Sequence, residues 1–82
     1  MSDEVIPSSE QAQKLKTGNY RHFKGGMYKV LSVARHSEDP KQEFVVYQSL
    51  KTGYTWIRPL SMFLEHVNRD GYSGPRFVWL GE

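Results

Sequence analysis

The 82 residues, 38% apolar and 13% aromatic, bound a single small domain with material for a modest core. The chain has no cysteine, which excludes disulfides, thiolate zinc sites and cysteine nucleophiles, and it has no apolar run long enough to span a membrane. Net charge is only +2, yet no acidic residue falls between Glu10 and Glu38, where Lys14, Lys16, Arg21, Lys24, Lys29 and Arg35 all lie.

The start, MSDEVIPSSE, is acidic and lacks the apolar segment of a secretory leader, so a cytoplasmic protein is expected. Residues 1–7 are expected to be mobile. Ser8 followed by Gln11 has capping-box spacing, and EQAQKLK before Gly18 predicts a helix from Ser9 to Lys16, with Ala12 and Leu15 as its apolar content. Residues 1–17 thus read as an N-terminal extension with a short helix, and 18–82 as a single small β domain.

Gly25 and Gly26 lie between two runs rich in aromatic and branched residues, which predicts a hairpin closed by a two-residue primed turn. In that register Lys24 faces Met27, Phe23 faces Tyr28, His22 faces Lys29 and Arg21 faces Val30. From Met27 to Ser37 neither alternating set is cleanly apolar, as expected of a strand that changes its buried face at a bend or bulge. SEDPKQ reads as a polar turn, Glu43 to Leu50 as a strand, Lys51 to Gly53 as a loop and Tyr54 to Arg58 as the next strand. Pro59 ends that strand and opens a helical turn with Met62 and Phe63 as its buried face. NRDGYSG reads as loop, and PRFVWL as the last strand. The order predicts a mainly β fold, a small five-stranded SH3-like barrel with a short N-terminal helix and a helical turn before the last strand. An open α+β sheet is the alternative.

The blocks YRHFKGGMYKVLSVARHSE, VVYQSL, WIRPLSMFLE and PRF resemble the domain-of-unknown-function family numbered sixteen fifty-three, across Gly18 to about Leu80. The resemblance implies a compact bacterial domain with no assigned biochemical role, and it transfers no catalytic residue. Tyr72, Ser73 and Gly74 stand where the family pattern is more basic, which argues against that loop as a ligand clamp.

Arginines recur beside aromatics, and a guanidinium can fork to a phosphate or carboxylate or stack on a ring. Arg21, His22, Lys24, Arg35, His36, Arg58 and Arg76 are therefore the candidate anion-binding residues, with Tyr47 and Trp56 as a stacking wall. The competing reading pairs the arginines with Glu38, Glu43 and Glu65 and puts the rings in the core. His22, His36 and His66 lack metal-ligand spacing, so no metal is expected. His36 is expected to pair across strands with Glu43. Ser37 and His36 point to opposite faces of a regular strand and cannot act together, so no catalytic residue and no cofactor is expected.

The expected function is a binding module for an anionic partner. Nucleic acid, RNA before duplex DNA, precedes an acidic protein, and no membrane is involved. A pocket for a small anionic metabolite, with catalysis an open question, is the second expectation. A protein-docking adaptor, using a strand edge or the Met62 and Phe63 turn, is the third.

Overall fold

The computed structural model describes residues 6–82, so most of the segment expected to be mobile lies outside the described residues. The fold is mainly β and antiparallel. Its elements are α1 (Glu10–Lys14), β1 (Gly18–His22), β2 (Met27–His36), β3 (Asp39–Ser49), β4 (Thr55–Pro59), α2 (Leu60–Phe63), β5 (His66–Arg69), β6 (Tyr72–Pro75) and β7 (Phe77–Gly81). Five strands form one sheet in the order β4-β3-β2-β1-β7, and β5 and β6 form a separate hairpin.

One face of the large sheet carries the core. Tyr20 and Val30 from β1 and β2, Val45 and Tyr47 from β3, and Phe77 from β7 are all buried, and Leu60 and Phe63 of α2 close over them. Aromatic stacking organises that core: Phe63 and Phe77 lie parallel with centroids 4.1 Å apart, and Tyr47 meets the edge of Phe77 at 5.6 Å. The opposite face is left open, with Met27 and Ile57 exposed.

The sheet does not close into a barrel. Its edge strands, β4 and β7, share no ladder, and α2 and the β5–β6 hairpin lie between them in sequence. It curls far enough, however, to bring the Arg58 guanidinium of one edge strand within 5.6 Å of the Phe77 ring of the other. The expected change of face in β2 is present. Val30 pairs with Tyr47 and Ser32 with Val46, which leaves Leu31 as the extra residue of a bulge. Before the bulge Val30 faces the core, and after it Val33 does, opposite Val45.

Several expected details are corrected. The first hairpin pairs Arg21 with Met27 and Tyr20 with Tyr28, three positions from the expected register. The two glycines are not the central pair of a two-residue turn: Gly25 N donates to His22 O at 2.7 Å, so the chain reverses one step earlier, over His22 to Gly25. The loop instead spans Phe23 to Gly26, closed by His22 N donating to Gly26 O at 2.7 Å, while Phe23 N turns away to Arg76 O.

The SEDPKQ turn shrinks to Ser37 and Glu38, so Glu43 faces Arg35, and His36 faces Asp39. NRDGYSG is a hairpin rather than a loop: Asp70 and Gly71 take φ of 55° and 78°, as a primed turn requires. In α2 the buried pair is Leu60 and Phe63, and Met62 points outward. The N-terminal helix is capped by Ser9, whose side chain accepts from Ala12 N at 3.1 Å, rather than by Ser8, and it stops at Lys14.

Candidate functional site

Three of the seven predicted anion-binding residues converge on the rim of the core. Arg58 faces the core side of β4 opposite Val45, and its guanidinium covers Phe77. His22 ends β1 opposite Phe77, with its ring edge-on to that phenyl at 4.9 Å. Arg76 immediately precedes β7; its side chain is 13% exposed and reaches Glu65 at 3.3 Å. Glu65 O also accepts from Arg76 N at 3.0 Å, so backbone and side chain lock the two residues together. That ion pair is one of those the structural reading of the arginines expected. Among the described residues, Arg76 Nε is buried without a hydrogen-bond partner.

Electrostatics ties the cluster together. The His22 imidazole is held below its ordinary pKa, first by burial and then by the positive charges of Arg58, Arg76 and Lys24. Lys24 N donates to His22 Nδ1 at 3.2 Å, which puts the neutral ring's proton on Nε2. The Lys24 ammonium itself lies 5.8 Å from the Phe23 ring. The site is thus a half-enclosed group of cations around aromatic rings, with one carboxylate at its edge.

The remaining candidates lie elsewhere. Arg21 neighbours His22 in the strand and therefore points to the opposite face, opposite Met27 and Val78. Arg35 holds the N-terminal segment, donating to Ile6 O and to Ser8 Oγ, the latter at 3.1 Å. His36 sits at the tip of the β2–β3 hairpin, its Nδ1 accepting from Glu38 N at 3.0 Å. Of the two wall residues, Tyr47 is a core residue at 5% exposure, and Trp56, its cross-strand neighbour on the edge strand, is 48% exposed. Of the two, Trp56 is the exposed one, two positions before Arg58 on β4 and edge-to-face with Tyr54 at 5.9 Å.

Sequence reasoning missed Phe77 as the common platform and Tyr28, whose ring lies 6.3 Å from His22. Strand parity applied to the correct hairpin register would have found Tyr28, since it shares a face with Tyr20. The unusual loop containing Tyr72 packs inward. Its ring stacks on Phe23 at 5.6 Å and its hydroxyl donates to Pro75 O at 2.7 Å. Among the described residues, no three of the His, Asp and Glu side chains group closely enough to hold a metal ion. Among the described residues, no helix is long and apolar enough to cross a membrane.

Comparison with known proteins places the chain in a family and matches its fold. Residues 18–79 match the family described as "Protein of unknown function (DUF1653)". A crystal structure of a DUF1653 protein from Bordetella bronchiseptica is 33% identical, with a TM-score of 0.77 over 85% of this chain and 92% of that one. No curated protein matches. With the match running through every strand from β1 to most of β7, this chain belongs to the DUF1653 family.

Proposed function

We propose that the chain is a binding module for an anionic partner, with nucleic acid first and RNA ahead of duplex DNA. The observation that carries it is the convergence of Arg58 and His22 on Phe77, with the charge of Arg76 acting on the same imidazole and Trp56 exposed alongside. The Arg58 guanidinium, which has no carboxylate partner among the described residues, has donor capacity for a phosphate oxygen. An exposed indole beside it suits an unstacked base, which single-stranded RNA offers and a duplex does not. An acidic protein segment would use the same cations without the indole. We read the fold as a split form of the SH3-like barrel, a reading supported by the 5.6 Å approach of Arg58 to Phe77 across the open seam.

The second reading is a pocket for a small phosphate- or carboxylate-bearing metabolite. It is favoured by the depth of Arg76, whose side chain is only 13% exposed.

Amide chemical-shift titration with a short single-stranded RNA, a short duplex DNA and a mixture of nucleotides distinguishes the two. Shifts at His22, Arg58, Arg76 and the Trp56 indole with RNA, fading as salt rises, are the expected result. Arg58→Ala should weaken RNA binding by about tenfold, the loss of one charge-assisted contact, while Arg21→Ala on the opposite face changes it far less. Equal effects of the two substitutions would sink the proposed site. Saturable shifts with a nucleotide alone, insensitive to salt, would establish the metabolite reading instead.

A further inference from the structure

A second recess lies on the other side of the Phe63–Phe77 stack. It is a cleft of about 450 Å³ floored by Tyr20, Phe63 and Phe77 and walled by Leu15, Leu64 and Trp79. That volume falls within the roughly 300–1,000 Å³ typical of small-molecule sites. Lys14 and Lys16 are the charged residues of its lining. Two walls remain open to solvent, with Leu64 41% and Trp79 40% exposed, although both border a core whose other members are sealed.

The recess is built rather than incidental. Trp79 Nε1 donates to Thr17 O at 3.1 Å, which fixes the indole plane, and Lys16 Nζ sits 4.1 Å above that ring. The buried Tyr20 hydroxyl donates to Lys16 O at 2.6 Å and so anchors the segment that carries both lysines. One wall therefore comes from residues preceding the matched family region at residue 18, and the floor from within it.

We propose that this cleft binds a small amphipathic carboxylate, an apolar body lying against Phe63, Phe77 and Trp79 with its carboxylate between Lys14 and Lys16. Charge complementarity selects the head group, since the lining carries two ammonium groups and no acid. The aromatic floor selects the body. A neutral molecule of the same shape would bury the same surface without an ionic partner, and a small hydrophilic anion would leave the apolar floor unfilled.

The test uses the full chain and three probes: naphthoate for an aromatic acid, octanoate for an aliphatic one, and naphthylmethanol as the uncharged counterpart. Naphthoate or octanoate should shift the Trp79 indole signal and the Leu15 and Leu64 amides, leaving Arg58 and Arg76 unmoved. The stronger of the two identifies the body. Naphthylmethanol should bind about tenfold more weakly than naphthoate, and the double variant Lys14→Gln with Lys16→Gln, which keeps long side chains in the lining, should lose about three- to tenfold for the acid alone. No shift at Trp79 with either acid at millimolar concentration overturns the proposal. So does equal binding of acid and alcohol, or shifts confined to His22, Arg58 and Arg76, which would instead belong to the cationic site.

Discussion

His22 concentrates several opposing demands in one side chain. It lies half-buried against Phe77, accepts a hydrogen bond at Nδ1 from Lys24 N, and faces the charges of Arg58 and Arg76. Protonation would add a cation to a cationic cluster and place a proton on the nitrogen that now accepts. Its folded pKa is accordingly lowered, so the unfolded chain takes up this proton at a higher pH than the folded one. Stability is then complete above the unfolded value of about 6.5 and declines as pH falls from there to the folded pKa, below which it levels off. The melting temperature should fall between pH 7.5 and pH 5, and His22→Gln, which cannot titrate, should flatten that part of the profile. An identical slope in the variant would mean that other groups carry the pH dependence. A phosphate or carboxylate bound at Arg58 and Arg76 would reverse the sign locally, raising the His22 pKa and making binding tighter as pH falls.

Of the two helices described, α2 is the shorter and the more consequential. Four residues from Leu60 to Phe63 bring two buried side chains over the sheet, and Phe63 stacks directly on the ring that also underlies Arg58 and His22. Phe63→Ala should cost about 3–5 kcal/mol, as burial and stacking are lost together in a core too small to refill the space. Met62→Ala, one position earlier and 45% exposed, should stay within about 0.5 kcal/mol. Urea unfolding of the two variants checks this, and comparable losses would place Met62 in the core after all. The expectation that Met62 and Phe63 are buried together fails because adjacent helical positions are about 100° apart. The one-sided core accepts Leu60 and Phe63, which are three apart.

The same level explains what was legible in the sequence. The strands of β2, β3, β4 and β7 were visible in their branched and aromatic content, and the Leu31 bulge in the loss of clean alternation. The register of the first hairpin was not. Gly-Gly is compatible with several loops, and the choice was made by Arg76 O, 53 positions after Phe23 and invisible to local pattern. Asp70-Gly71 was legible in principle, a primed-turn pair hidden by the polar, glycine-rich composition of its flanks. For the candidate site, residue type was readable and placement was not. Arg58, His22 and Arg76 come from three places in the chain that meet only because the sheet curls.

At the scale of the whole molecule, the N-terminal segment is joined to the family framework by a few polar ties and two apolar side chains. Arg35 donates to Ile6 O and Ser8 Oγ, Glu43 accepts from Ser9 N at 3.1 Å, and Ala12 and Leu15 pack on the core. Arg35 and Glu43 are cross-strand neighbours, so one position of the β2–β3 hairpin holds the whole start of α1. A helix of five residues has no stability of its own in water, so α1 persists only while it is docked.

The hydrogen bonds from Ser9 and the nearby Arg35 charge hold the Glu43 carboxyl below its usual pKa. A lowered carboxyl pKa contributes stability above the unfolded value of 4.5, and that contribution disappears as pH falls through the folded value. Acidification through this window should therefore loosen α1 before the sheet, at a pH below the one at which His22 acts. Arg35→Ala combined with Glu43→Gln should do the same at neutral pH, lowering hydrogen-exchange protection at Ala12 and Leu15 by roughly tenfold while Val30 and Val45 keep theirs. The walls of the apolar cleft would loosen with α1, so naphthoate binding should weaken in this variant although neither substituted residue lines the cleft. If protection at Ala12 and Leu15 stays at the wild-type level, the two apolar contacts alone hold the segment, and Arg35 becomes available again as an anion ligand.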